Sequence, residues 1–248
     1  MLPHQDDFLL SLKANNYSLE TIYNYEQDLL IFDIFLKNYV NTSFNEISKR
    51  TVEIYKAFLA SRDRKTPKLK KETKQLSAGS INRMLSSLRR YLKYLIDMDH
   101  KAPIAPDAIK LIKMQRPHSR VAEFESLVRL IESPADFEKT REIALRNRAM
   151  LETLFSTGMR ISELTSLNRD QIDKTGRIFI RGKGKKERFV YLTERAKSHI
   201  KNYVDTRDDE HPALFIPYRG RNTGKQSARI STNYVQMKMK QYRTRLGI

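Results

Sequence analysis

One short stretch of the chain places a glycine, an arginine and a glutamate at spacings that could bind a phosphate. In Thr157-Gly-Met-Arg-Ile-Ser-Glu-Leu164, Gly158 can end one helix in the left-handed conformation, and a new helix then begins close to Arg160. A cation at a helix N-terminus opposes the helix dipole, so Arg160 is placed unfavourably unless an anion sits there. A guanidinium suits a phosphate because it offers paired donors, and Glu163, one turn on, could orient it. A surface Arg–Glu helix pair has the same spacing, and the pattern alone favours that reading.

A second candidate is Lys183, which stands in a glycine-bearing turn between two β-rich runs. The runs extend from Arg177 to Arg181 and from Glu187 to Leu192, and they predict a β-hairpin. Gly182 and Gly184 permit a tight turn that could extend the lysine into a DNA groove. The cations that would add phosphate contacts are Lys185, Lys186 and Arg188. A solvated basic turn is the alternative, and taken alone the turn favours it. The Walker spacing is absent, so the turn is not a nucleotide-binding loop.

The overall charge points to a polyanion as partner. The chain has 47 Lys and Arg against 29 Asp and Glu, a net charge of +18. Cations that neutralise phosphates release counterions, which favours nucleic acid over a charge kept only for solubility. Charge by itself leaves DNA, RNA and an acidic membrane open. Since there is no cysteine, the chain has no disulfide framework, thiolate nucleophile or cysteine-based zinc site.

No segment looks like a membrane anchor or an export signal. No apolar run approaches the roughly 18 residues that a membrane span requires. The N-terminus, MLPHQDDFLL, lacks the basic start and the cleavage site of a signal peptide. We therefore expect a soluble, cytoplasmic protein without a membrane partner.

The first hundred residues show the periodicity of helices. Ser18, Ser48 and Ser77 can each cap a helix, because apolar residues follow them at spacings of three and four. The clearest apolar stripe consists of Ile81, Leu85, Leu88, Leu92 and Leu95. The opposite face of that helix is predicted to carry Arg83, Ser86, Ser87, Arg90, Lys93 and Tyr94. Hydroxyls, cations and an aromatic ring suit a helix in a DNA groove, although a solvated face explains them equally well.

Prolines mark a boundary near the middle of the chain. Residues 101–120 contain three prolines among charged residues, which predicts a linker with one short helical piece around Asp107 to Lys113. The predicted division is a helical domain over 1–102, a linker over 103–120 and a second domain over 121–248. Both halves are basic, so two domains on a linker could grip a duplex from two sides.

The second domain mixes helices and strands. Helical periodicity covers Phe124 to Ile131 and Ile143 to Phe155, ahead of the predicted hairpin. Thr193 can cap a helix reaching about Asp205, and Ser231 can open a final helix reaching about Arg245. Ala213 to Ile216 could add a short strand.

Together these motifs resemble the tyrosine recombinases, the phage-integrase family, and in particular its Xer-like members. STGMRISELTSLNRDQID, followed at the right distance by IFIRGKGKKERFVYLTERA, is similar to the start of that family's catalytic domain. SAGSINRMLSSLRRYLKYLI and the helices before it resemble the family's SAM-like core-binding domain. The implied fold is mainly α with a small antiparallel β-sheet. A SAM-like helical domain would precede an incomplete α+β catalytic domain.

The resemblance implies DNA strand exchange without a metal or another cofactor. In the family a tyrosine attacks the scissile phosphate, and the phosphotyrosine bond retains the energy of the broken linkage. Arg160 matches the catalytic arginine that stabilises charge on the non-bridging oxygens, and Lys183 matches the lysine that protonates the leaving 5′-oxygen. The implied partner is double-stranded DNA with inverted half-sites, bound by a homo- or hetero-tetramer.

Other parts of the family pattern have no match in these 248 residues. The pattern continues with His-x-x-Arg, a further His or Trp, and the nucleophilic tyrosine, but none of the five histidines has an arginine three residues later. Tyr234 and Tyr242 fall on the helix that precedes those motifs and are poor nucleophile candidates. We therefore expect no strand cleavage by this chain alone. A non-catalytic module that occupies recombination sites is the alternative, and a basic scaffold or RNA-binding protein is a third possibility.

Overall fold

A computed structural model of the chain describes residues 1–61, 75–114, 122–182, 187–220, 223 and 228–248. The chain divides into two compact units, Met1–His118 and Ser119–Ile248. Both are built mainly from α-helices, and the second also contains a small antiparallel sheet, which confirms the predicted fold class. Among the residues so described, no helix combines the length and the apolar character needed to cross a membrane.

The first unit is a set of α-helices around one apolar core. These helices are α1 (Gln5–Ala14), α2 (Leu19–Phe35), α3 (Lys49–Ala60) and α4 (Ala78–Asp97), with a π-helical turn at Leu36–Val40 and 3₁₀ turns at Phe44–Glu46 and Pro106–Ala108. Ser18, Ser48 and Ser77 cap α2, α3 and α4 as predicted, because each hydroxyl accepts a bond from the backbone N–H three residues on. The apolar stripe of α4 is buried in the core. Local capping and periodicity thus account for these helices.

The segment after α4 packs back onto the first unit. Ile109 is fully buried, and the backbone N–H and C=O of Ile112 both bond to the Asn82 side chain, at 2.7 and 2.9 Å. These contacts draw the backbone groups away from helical partners. The helix predicted from Asp107 to Lys113 is therefore wrong beyond the 3₁₀ turn Pro106–Ala108.

The second unit contains the remaining elements. They are α5 (Phe124–Glu132), α6 (Pro134–Phe137), α7 (Arg141–Thr157), α8 (Ile161–Ser166), a 3₁₀ turn (Arg169–Gln171), β1 (Arg177–Arg181), β2 (Glu187–Tyr191), α9 (Glu194–Val204) and α10 (Thr232–Leu246). The predicted helices and the hairpin strands are confirmed. Ala149 on α7 and Ala196 on α9 are fully buried, and their small side chains suit the close packing of these two helices.

The strand predicted over Ala213 to Ile216 does not form; one isolated bridge stands in its place. The N–H of Leu214 donates to the carbonyl of Leu167, whereas the carbonyl of Phe215 accepts from Ile230. Consecutive residues thus bond to different segments, and no continuous ladder results. Residues 213–216 are buried as a core strand would be, which explains why their apolar pattern predicted a strand.

The two strands form a regular antiparallel pair with one buried face. Ile180 is paired with Arg188, and Phe179 with Phe189. Alternation turns Ile180 and Val190 into the core, and it places Arg188 on that same face, half-buried. The two phenylalanines lie side by side on the outer face, with ring centroids 5.3 Å apart and the ring planes tilted by 55°. The hairpin therefore delivers one arginine to the interior side of the sheet.

Candidate functional site

A sharp turn between α7 and α8 presents Arg160. Gly158 ends α7 with a φ of 61°, in the left-handed region that glycine adopts without strain. Arg160 follows as the N-cap of α8, and its side chain is 61% exposed. Most of the Arg160 side chain therefore faces solvent from a defined position.

Glu163 holds Arg160 from the first turn of α8. The Glu163 side chain is only 6% exposed. Its Oε2 accepts a bond from the Arg160 backbone N–H at 2.8 Å, and its Oε1 accepts from Arg160 Nη1 at 3.0 Å. The structure thus brings together the two residues whose pairing the sequence suggested.

Arg188 is a further member of this cluster. Its Nη1 donates to Glu163 Oε1 at 3.1 Å, and its Nη2 donates to Oε2 at 2.8 Å. The sequence interpretation placed Arg188 among the phosphate contacts, and the structure adds a partner that it did not predict: the guanidinium is bound to a carboxylate. The alternation of side chains along Glu187–Tyr191 could have predicted this, because it puts Arg188 on the same face of the strand as the buried Val190. We call Arg160, Glu163 and Arg188 the Arg–Glu–Arg cluster.

The Arg–Glu–Arg cluster carries a net charge of +1. The hydrogen bonds from Arg188, with those from Arg160, lower the pKa of Glu163 to about 2 against the opposing effect of burial. Glu163 is therefore ionised at neutral pH, between two guanidinium groups. The carboxylate accepts four hydrogen bonds in total, two from each arginine. Because these bonds saturate its oxygens, the carboxylate is rigidly oriented.

The end of β1 lies directly against this cluster. A Cβ placed on Gly182 would stand 3.0 Å from Glu163 Oε1, 3.1 Å from Arg188 Nη1 and 3.4 Å from Arg160 Nη1. A glycine thus allows the hairpin backbone to approach the charged groups. Three site residues that the sequence predicts lie outside the described residues: Lys183, Lys185 and Lys186.

The predicted DNA-facing surface of α4 is only partly exposed. Arg83, Ser86 and Lys93 are exposed, and Arg90 is half-buried. Arg83 is anchored at the same time, since its Nη1 donates to the buried carboxylate of Asp28 at 2.6 Å. These four side chains remain available in part as cations or hydroxyls on one surface.

Ser87 and Tyr94 are buried, which corrects their predicted position on the exposed face. Ser87 is 6% exposed, and its hydroxyl donates to Asp28 Oδ2 at 2.7 Å. Tyr94 is 9% exposed, and its ring lies 5.3 Å from that of Phe8. The first unit covers more than the leucine stripe of α4, because α1 and α2 both pack against this helix. Two positions beside the stripe thereby become core.

A buried polar cluster in the second unit escaped the sequence reading. Arg146 on α7 is 1% exposed and bonds to Asn147 and to the hydroxyl of Tyr234. The Asn147 amide donates to Tyr242 OH at 2.7 Å, and that hydroxyl bonds to Glu138. Burial raises the pKa of Tyr242. Both tyrosines thus tie α10 to α7, in keeping with the expectation that they are poor nucleophiles. The sequence pattern could not predict this cluster, because the bonded residues lie about ninety positions apart in the chain.

Comparison with known proteins places both units in one family. A family model described as the phage integrase N-terminal SAM-like domain matches residues 6–98, and the phage integrase family model matches residues 120–248. The tyrosine recombinase XerC of Chlamydia trachomatis is 26% identical over 98% of this chain and 77% of its own length. The XerC of Lactobacillus delbrueckii is 29% identical over 81% of this chain. The chain spans 63% of the length of that relative.

Solved structures share the fold at low sequence identity. A lambda integrase dimer bound to a core site covers the whole chain with a TM-score of 0.72 at 13% identity. The recombinase XerH bound to a palindromic difH substrate covers 95% of the chain with a TM-score of 0.65 at 20% identity. Since the phage integrase model alone spans just over half of the sequence, the chain belongs to the phage integrase family of tyrosine recombinases.

Proposed function

We propose that this chain takes part in site-specific recombination of double-stranded DNA, by metal-free breakage and rejoining through a phosphotyrosine. The observation that carries the proposal is the exposed guanidinium of Arg160, fixed by Glu163 beside the end of β1. Lys183 is the next residue but one after that strand. The first domain, over 1–102, would bind the core DNA, and the second, over 121–248, would carry these two catalytic residues.

Arg160 is suited to stabilise charge on a phosphate under attack. A guanidinium has five N–H donors, and the contact with Glu163 uses one of them. The remaining donors can bond to the non-bridging oxygens as charge builds up on the phosphorus centre. Because the group is already oriented, little reorganisation accompanies the reaction.

Proton transfer would complete the step. Attack by a tyrosine oxygen forms the 3′-phosphotyrosyl bond and breaks the phosphorus bond to the 5′-oxygen. The tyrosine proton would pass to solvent, and Lys183 would protonate the leaving 5′-oxygen. The reverse attack by a 5′-hydroxyl on the phosphotyrosine rejoins the strand. Neither Tyr234 nor Tyr242 is assigned as the nucleophile, because both hydroxyls are engaged in the buried cluster.

The DNA contacts would come from the exposed part of α4 and from the hairpin. The side chains proposed for these contacts are Arg83, Ser86, Arg90, Lys93, Lys185 and Lys186. We propose inverted half-sites as the substrate and a homo- or hetero-tetramer as the assembly, acting on DNA in the cytoplasm. The net charge of +18 supports strong, salt-dependent binding to a duplex.

Selection of bound duplexes from a random library, followed by footprinting, tests this function. We expect an inverted repeat to be protected and the affinity to fall steeply with salt. Binding to RNA with equal strength, or no protected sequence, would refute it.

A second candidate is a module that occupies recombination sites without cutting them. It is favoured by the engagement of Tyr234 and Tyr242 in packing. A nicked suicide duplex separates the two functions, because only cleavage traps a covalent protein–DNA complex. We expect none with the 248-residue chain, and a trapped complex would exclude the non-cutting module.

A further inference from the structure

We propose that Arg188 is a positioning residue that compensates the charge of Glu163, so that Arg160 keeps a net attraction for a phosphate. The inference rests on the proposed role of Arg160. It gives Arg188 a task different from direct contact with DNA. It also explains why a site for an anion contains a carboxylate.

The four hydrogen bonds within the cluster divide evenly between the two arginines. Arg160 donates through its backbone N–H and one guanidinium nitrogen, whereas Arg188 donates through both terminal nitrogens in a bidentate pair. Arg188 is therefore committed to Glu163, and its side chain is 38% exposed. Arg160 is held at one edge, is 61% exposed and retains donors for a ligand.

Arg188 adds one positive charge to the pair formed by Arg160 and Glu163. Arg160 and Glu163 alone would form a neutral pair, and an approaching phosphate would meet attraction and repulsion of similar size. With Arg188 the cluster carries +1. One unit charge about 6 Å from an anion in water-like surroundings changes its affinity about threefold, and more where water is partly excluded.

The positive charge of Arg188 reaches Glu163 from β2, a different element from the α8 start that carries Arg160. Arg188 pairs with Ile180 across the hairpin, and Gly182 places the other strand against the same carboxylate. The segments on either side of residues 183–186 thus both approach Glu163. The packing of the hairpin strands and the charge beside Arg160 therefore both depend on Glu163.

Inorganic phosphate serves as the probe, and the Nε–Hε NMR signal of Arg160 in the full chain reports binding. Arg188→Met should weaken phosphate binding about three- to tenfold. Arg188→Met combined with Glu163→Gln restores the charge of +1 and should return the affinity to within about twofold of the parent. The matched control is Arg177→Met, which removes a half-exposed strand cation paired with Asp173 and should change nothing.

The double variant separates charge compensation from a merely structural role. If Arg188 only supported the fold, removing its carboxylate partner as well would not rescue binding. Unchanged phosphate affinity in Arg188→Met, or a double variant as weak as the single one, would therefore overturn the inference while leaving DNA recombination intact. An Arg160 signal in the parent chain that responds neither to phosphate nor to the selected duplex would count against the proposed function, and this inference would fall with it.

Discussion

Replacing Glu163 by glutamine should remove a large acid-sensitive part of the second unit's stability. The substitution keeps the size of the side chain but removes the charge to which Arg160 and Arg188 donate. The pKa of Glu163 is about 2, against an ordinary value of 4.5, chiefly because of the bonds from Arg188. Lowering the pKa of Glu163 from 4.5 to about 2 corresponds to about 3 kcal/mol of folding free energy. Because both arginines are partly exposed, solvent screening reduces the expected loss at pH 7 to about 2 kcal/mol.

The direction of the pH dependence follows from the lowered pKa. The folded state binds the Glu163 proton less readily than the unfolded chain does. The contribution is therefore fully present above pH 4.5 and is lost as the pH falls toward 2. At pH 3 less than half should remain, so the gap between the parent and Glu163→Gln should shrink to under about 1 kcal/mol.

Urea unfolding of both proteins at pH 7, 5, 4 and 3 measures this gap. Circular dichroism combined with NMR signals from the second unit assigns the transition to the correct part of the chain. Other carboxylates with a low pKa, such as Asp209, contribute equally to both proteins and cancel in the difference. A gap that stays constant from pH 7 to pH 3 would refute the reasoning, as would an NMR titration of Glu163 near pH 4.5.

Four further substitutions test the structure at separate points. Asn147→Leu should cost about 2–4 kcal/mol in urea unfolding, because it removes the hydrogen bonds that Asn147 makes to Arg146 and Tyr242 inside a buried cluster, and a cost below about 1 kcal/mol would contradict this. Ser87→Ala should cost about 1–2 kcal/mol, since the buried Asp28 loses a donor, and the DNA affinity of the folded protein should not change. Lys93→Ala should leave the melting temperature unchanged but reduce the slope of log affinity against log salt by about 0.9, and an unchanged slope would exclude this lysine from phosphate contact. Gly182→Ala should cost about 1–3 kcal/mol, because its Cβ would stand 3.0 Å from a carboxylate oxygen of the Arg–Glu–Arg cluster, and an unshifted melting curve would show that the hairpin gives way easily.

Most helices could be predicted because their signals are local. Ser77 shows this well: one hydroxyl caps α4, and leucines at spacings of three and four then define its buried stripe. The two errors of secondary structure occurred where distant groups decided the outcome. Asn82 takes the backbone bonds of Ile112 thirty residues away, and the backbone around Leu214 bonds to separate segments.

The candidate site divides in the same way. Arg160 and Glu163 lie three residues apart on one helix start, so their pairing could be anticipated from spacing alone. Arg188 lies twenty-five residues from Glu163, and the sequence did not predict this partner, because only the packing of β2 near α8 brings the two side chains together. Ser87 shows the opposite error, since a polar side chain beside the apolar stripe was predicted to face solvent.

The sequence by itself determined the family, the helical architecture and the position of Arg160 at a helix start, because caps, periodicity and short motifs act within a few residues. Only the tertiary structure decided which charges from distant segments meet. Electrostatic pairing and burial depend on distances between segments far apart in the chain, and the closed Arg–Glu–Arg cluster and the buried Ser87 follow from how α4, α8 and β2 pack in their units.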